Sequence, residues 1–109
     1  MPNEMSAPPL PDLVLYARAG CSLCAEARLI VQGLLEERAA TGRPLARLVE
    51  RDIDADAALH DELFERIPVV ELAGRRLELA ISAAKLRRLL AEALDSEDAP
   101  AARATERLA

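Results

Sequence analysis

Tryptophan is absent, and the chain holds one tyrosine, Tyr16, and one phenylalanine, Phe64. With aromatics at 2%, the core has to be assembled from Leu, Val, Ile and Ala, and the scarcity argues against a stacking platform for single-stranded nucleic acid. Excess basic charge is missing as well. Fourteen Lys and Arg stand against 19 Asp and Glu, a net charge of −5, which argues against a nucleic-acid footprint or an anionic membrane surface as partner. No apolar run approaches the ~20 residues of a membrane span. Residues 1–11 show neither a basic n-region nor an apolar h-region and do not read as a secretory signal. No G-x-G-x-x-G or P-loop spacing occurs, so nucleotide binding has no support.

What is present is a globular composition, 51% hydrophobic and 30% charged, at a length of 109 residues that suits one domain. Pro2, Pro8, Pro9 and Pro11 make residues 1–12 a flexible lead-in. The Ala-rich, charged stretch 95–109, interrupted by Pro100, reads as a flexible tail. The folded body is expected over 13–94.

Within that body, Leu13-Val14-Leu15-Tyr16 suits a strand buried on both faces. Cys24, Ala27, Val31 and Leu34 recur at helical spacing from Ser22 onward, and Gly42 and Pro44 punctuate the end of that helix. A second strand is expected over Leu45–Ile53, at a sheet edge because it carries Arg47 and Arg51. Asp54 and Asp56 offer caps for a short helix with apolar positions Leu59, Leu63 and Ile67 and Phe64 beside them; Pro68 is expected to stop it. Val69–Leu72 reads as a third strand. Past Gly74, Leu77 and Leu79 alternate with Arg76 and Glu78 in a fourth, giving a hairpin. Ser82 is placed to cap a last helix with the stripe Leu86, Leu89, Leu90, Ala93, Leu94. The order β-α-β-α-β-β-α implies an α/β fold: a parallel βαβ unit, then an antiparallel hairpin and a covering helix, with helices on both faces of a four-stranded mixed sheet.

The chain has two cysteines, Cys21 and Cys24, separated by Ser22 and Leu23. They fall between a buried strand and a helix start, the sequence cue for a thioredoxin-like dithiol. Cys21 at the helix N-terminus would be favoured as a thiolate and act as nucleophile. Cys24, one turn inside, would resolve the mixed disulfide. Arg18 is a candidate to stabilise that thiolate or to hold a substrate carboxylate. Tyr16 reads as strand-end packing, His60 as a solvent-facing residue among acids, and Asp52 and Asp54 as strand-end caps. Metal binding by the dithiol would need a second chain, because zinc takes four ligands.

The stretch Leu15-Tyr16-Ala17-Arg18-Ala19-Gly20-Cys21-Ser22-Leu23-Cys24 resembles the active-site segment of glutaredoxins, with Arg18 at the family's basic position. Arg66-Ile67-Pro68-Val69 resembles its second landmark. The resemblance implies a thioredoxin-like fold, a cis Pro68 facing the dithiol, and Ile67 and Val69 lining a substrate groove. It implies a thiol-disulfide oxidoreductase acting on protein or glutathione mixed disulfides. Glutathione would be a co-substrate, with no tightly bound cofactor. A reductase is the alternative electron donor. A cytoplasmic monomer is expected. The alternative is a non-enzymatic module whose dithiol binds a metal or an iron–sulfur cluster between two chains. Ser22 and Leu23 replace the Pro and aromatic usual in glutaredoxins. Leu79-Ala80-Ile81-Ser82 stands where they carry Gly-Gly and acidic residues for glutathione; Ser82 and the backbone of the last helix are the candidates left to take a carboxylate there.

Overall fold

Four strands form one sheet in the order β2-β1-β3-β4, in a computed structural model that describes residues 9–95. Strand β1 (Asp12–Ala17) leads into helix α1 (Ser22–Ala40), and β2 (Arg47–Asp52) follows. A 3-10 turn (Ile53–Ala55) and the short helix α2 (Ala57–Leu63) connect to β3 (Val69–Leu72), β4 (Arg75–Leu77) and helix α3 (Ala83–Leu94). Strand β1 pairs in parallel with β2, Ala17 opposite Asp52, and antiparallel with β3, Tyr16 opposite Val69. The architecture is thioredoxin-like. Among the described residues, no helix is long and apolar enough to cross a membrane.

The register places three connections at one end of the sheet: the turn after β1, the turn after β2, and the entry to β3. Cys21, the Asp52–Asp56 segment and Pro68 therefore share that end. Helices α1 and α3 pack on one another, and α3 also contacts β3 and β4. Helix α2 covers the opposite face, where its Glu62 holds Arg76; Arg76 also binds Glu71, and Glu71 accepts the Tyr16 hydroxyl.

Aliphatic side chains make the core, as the scarcity of aromatics requires. Leu13, Leu15, Val31, Val69, Val70, Leu86 and Leu90 are all buried. The full α3 stripe is buried too. Arg38 is a buried cation in α1, donating to the Pro44 carbonyl at 2.7 Å and pairing with Asp95. It occupies the stripe position after Leu34. Its guanidinium closes the helix end and fixes Asp95, which caps α3.

Several boundaries differ from the sequence expectations. Strand β1 starts at Asp12, because the Pro11 carbonyl accepts the Arg47 N–H at 2.8 Å and Asp12 pairs with Arg47, so the lead-in is tied down at its end. Strand β2 is shorter than Leu45–Ile53, and it is an edge strand as its arginines indicate. Helix α2 ends at Leu63, not at Pro68. The Leu63 carbonyl accepts from both Arg66 and Ile67, closing a turn before the proline is reached. Ile67 is thus outside the helix, and Phe64 is an exposed ring stacked on His60 at 5.2 Å. Strand β4 ends at Leu77. Leu79 has a positive φ of 49° and is exposed, its N–H bonded to the Arg66 carbonyl instead of a strand partner. The 96–109 part of the expected tail and residues 1–8 of the lead-in lie outside the described residues.

Ser82 caps α3 as expected, accepting the Lys85 N–H at 3.2 Å. Replacing Ser82 with Ala should cost about 1 kcal/mol of stability. Urea unfolding of the two proteins checks this; equal midpoints would mean the cap bond contributes nothing.

Candidate functional site

Gly20 adopts φ +77°, a left-handed conformation that lets the chain leave β1 and turn directly into α1. The next residue, Cys21, is the N-cap of α1 with extended backbone. Its carbonyl accepts the first helical bond, from the Ala25 N–H at 3.2 Å. Its Sγ accepts the Cys24 N–H at 3.1 Å. A cap side chain normally supplies oxygen for the orphan N–H groups of a helix start; here sulfur does so. Cys21 and Cys24 are joined in a disulfide, with Cα atoms 5.2 Å apart.

The two sulfurs sit in different surroundings. Cys21 is half-buried and faces the turn, whereas Cys24 is 1% exposed and packs in the core. One turn of helix sets this asymmetry, since the residue three positions on rotates back over the sheet. Between them Ser22 and Leu23 are exposed, and Leu23 presents its side chain to solvent at 41%.

Arg18, three residues before Cys21, donates Nε to Asp54 Oδ2 at 3.3 Å. Both side chains are 40% exposed, so this is a weak surface pair in energetic effect. It nonetheless ties the β1–α1 turn to the segment after β2. His60 approaches the other oxygen of Asp54 at 3.9 Å and Asp61 at 3.5 Å. Asp54 is therefore a partner of Arg18 and not a helix cap; Asp52 caps the 3-10 turn and Asp56 caps α2. Nothing in the sequence marks the Arg18–Asp54 pair, which joins residues 36 positions apart. Beside the turn, a groove of about 340 Å³ runs between Arg18, Arg51 and the Arg28–Glu50 ion pair.

At the third corner, the Ile67–Pro68 bond is cis. Pro68 and Val69 are fully buried and Ile67 is nearly so. The Pro68 carbonyl accepts the Ala80 N–H at 2.8 Å, which holds the exposed Leu79 and Ile81 beside this corner. Ser82 follows, its oxygen engaged by Lys85. Among the described residues, no group of three or more His, Cys, Asp and Glu side chains converges as a metal site.

Tyr16 is a packing residue whose hydroxyl donates to Glu71 Oε1 at 3.0 Å. Burial pushes its phenol above the ordinary value of 10.0; the Glu71 hydrogen bond and charge add to this, and Arg51 and Arg76 oppose it. The folded state thus favours the neutral phenol. The resulting stabilisation is present below pH ~10, where the unfolded phenol is still neutral, and is lost as pH rises through the higher folded value. The stability gap between the native protein and a Tyr16→Phe variant should narrow above pH ~10. Urea unfolding at pH 8 and at alkaline pH measures it; a constant gap would contradict the shift.

The model of the family described as glutaredoxin-like domain (DUF836) matches residues 12–94. No curated protein matches the chain. The matched span starts with the first residue of β1 and ends with the last of α3.

Proposed function

The chain belongs to the glutaredoxin-like domain family, and on that premise we propose that it is a thiol-disulfide oxidoreductase that reduces protein or glutathione mixed disulfides. Family and dithiol together give a thioredoxin-like redox role. The observation that supports the finer reading is the asymmetry of the pair: Cys21 reachable and held by a helix-start N–H, Cys24 buried behind it.

In the reduced protein, the Cys24 N–H and the α1 dipole favour negative charge on Cys21 Sγ. The Cys21 thiolate attacks one sulfur of a substrate disulfide. A bond forms between Cys21 and that sulfur, and the other sulfur leaves as a thiolate, which takes a proton from solvent. Cys24, deprotonated, then attacks Cys21 Sγ. The Cys21–Cys24 disulfide forms and the second substrate sulfur leaves. Two electrons pass from the dithiol to the substrate, leaving the protein disulfide-bonded. Glutathione or a reductase restores the dithiol. Arg18 would support the thiolate or a substrate carboxylate, at the expense of its bond to Asp54. Ile67, Pro68 and Val69 would shape the substrate groove from beneath, and Ser82 with the α3 start would give a carboxylate contact. A reducing compartment, the cytoplasm, suits a dithiol that must be regenerated.

Single turnover tests this reading. Reduced protein mixed with a glutathionylated peptide should release one equivalent each of peptide thiol and glutathione, and gain one Cys21–Cys24 disulfide, all counted by mass. Absence of peptide release would refute it. A coloured or zinc-bearing dimer after anaerobic purification would instead favour a metal or cluster held between two chains.

A further inference from the structure

Although the chain is acidic, a groove among the described residues concentrates basic side chains. It is about 420 Å³ in volume and runs between the edge strand β4 and helix α3. Three basic side chains, Arg75, Lys85 and Arg88, line it against one acidic side chain, Glu92; Arg76 borders it with its side chain turned to the α2 face. Arg76 is already engaged by Glu62 and Glu71, and Arg75 by Glu92 at 3.4 Å. Lys85 and Arg88 are exposed and form no ion pair among the described residues. They stand three apart on α3 and so share a face. Their neighbour Arg87, by contrast, is paired with Glu37 at 3.1 Å.

Lys85 is also misplaced for stability. It is the chain's only lysine and the third residue of α3, where Ser82 as cap would be complemented by Glu or Gln. A cation there opposes the helix dipole, and the first turn of α3 holds no acidic residue to offset it. Local stability favours the opposite charge at the position where the groove has its cation.

The groove starts at the redox end. Leu77, on its floor, pairs with Val70, two residues after the cis Pro68. Ala80 bonds to Pro68, and α3 begins three residues later, so Lys85 lies one helical turn beyond the segment that borders the dithiol corner. Leu77 and Leu89 give the groove an apolar base under its charged rim.

We propose that this β4–α3 groove binds an acidic polypeptide segment of the disulfide-bearing substrate, an inference that rests on the oxidoreductase reading for the word substrate. A few carboxylates match the groove's unpaired cations, and apolar side chains match its base. A long polyanion such as nucleic acid fits worse: the rest of the molecule is acidic and repels it, and the groove has no aromatic ring on which bases stack.

The test uses the full chain and the Lys85→Glu/Arg88→Glu variant. The probe is a fluorescein-labelled peptide of alternating Glu and Leu, with a Lys-for-Glu counterpart and a single-stranded oligonucleotide as competitors. By fluorescence anisotropy, the acidic peptide should bind about tenfold more weakly to the variant, and salt should weaken its binding to the native protein. The variant should melt no lower than the native protein, since Lys85→Glu improves the cap. Equal binding of the acidic and basic peptides, or no loss in the variant, would overturn the proposal. So would tighter binding of the oligonucleotide. The same peptides extended by a glutathionylated cysteine then report turnover. The acidic one should show about tenfold higher kcat/KM, lost in the variant, with turnover of a small neutral disulfide unchanged. Binding without that preference would overturn the assignment to substrate. If no disulfide is turned over, the oxidoreductase reading fails, and anisotropy alone still decides whether the groove takes acidic segments.

Discussion

Replacing Cys21 with Ser should lower mixed-disulfide reduction by on the order of 10³-fold, equivalent to ~4 kcal/mol of transition-state stabilisation. A serine hydroxyl at the α1 cap still accepts the Cys24 N–H, so the fold is retained while the nucleophile is lost. Cys24→Ser should behave differently. The reachable Cys21 still attacks, but the buried partner that would release it is gone. Protein joined to substrate through Cys21 should then accumulate, visible by non-reducing mass analysis as one adduct per chain. With glutathione present, a second thiol can release the adduct and turnover persists at a reduced rate. The pair of results separates attack from resolution. If Cys21→Ser kept full activity, or if the adduct formed on Cys24 in the Cys21→Ser protein, the assigned roles would be wrong.

The second large effect is on stability. Leu90→Ala removes a side chain that is 1% exposed, from the helix that packs on α1. The expected cost is about 2–5 kcal/mol, from lost apolar transfer and the cavity left behind. Against a typical domain stability of roughly 5–15 kcal/mol this is a major fraction. Urea unfolding should show it in the oxidised and the dithiol forms alike, because Leu90 lies on α3 and not at the cysteine turn. A loss below about 1 kcal/mol would mean that α3 is not the structural cover its buried stripe indicates.

Elements with a sustained period were legible in the sequence. The α3 stripe from Leu86 to Leu94 and the α1 positions Cys24, Ala27, Val31 and Leu34 are buried as their spacing requires. The Cys21 position also followed from local signals, a buried strand, a Gly and a helix start. The cis geometry at Pro68 came only from resemblance to glutaredoxins, since a proline reads equally as a helix stop. Short elements were harder. Leu77 and Leu79 alternate as a strand would, but two repeats cannot say whether the second has a partner. Arg66 takes the Leu79 N–H and turns the chain out of the sheet. Likewise, Phe64 and Ile67 continue an apolar pattern past Leu63, where local turn bonds have already ended the helix. Pairs that depend on the fold, such as Arg18 with Asp54 or Arg38 with Asp95, carry no local signal. The β4–α3 groove was invisible for the same reason: its cations come from a strand and a helix that meet only after folding.

The most direct measurement is the redox equilibrium of the Cys21–Cys24 pair. The protein is equilibrated across glutathione buffers, free thiols are trapped, and they are counted by mass. A single two-electron transition assigned to these two residues, within the roughly −120 to −270 mV spanned by dithiol oxidoreductases, is the predicted result. Two thiols that stay free in every buffer would contradict the account.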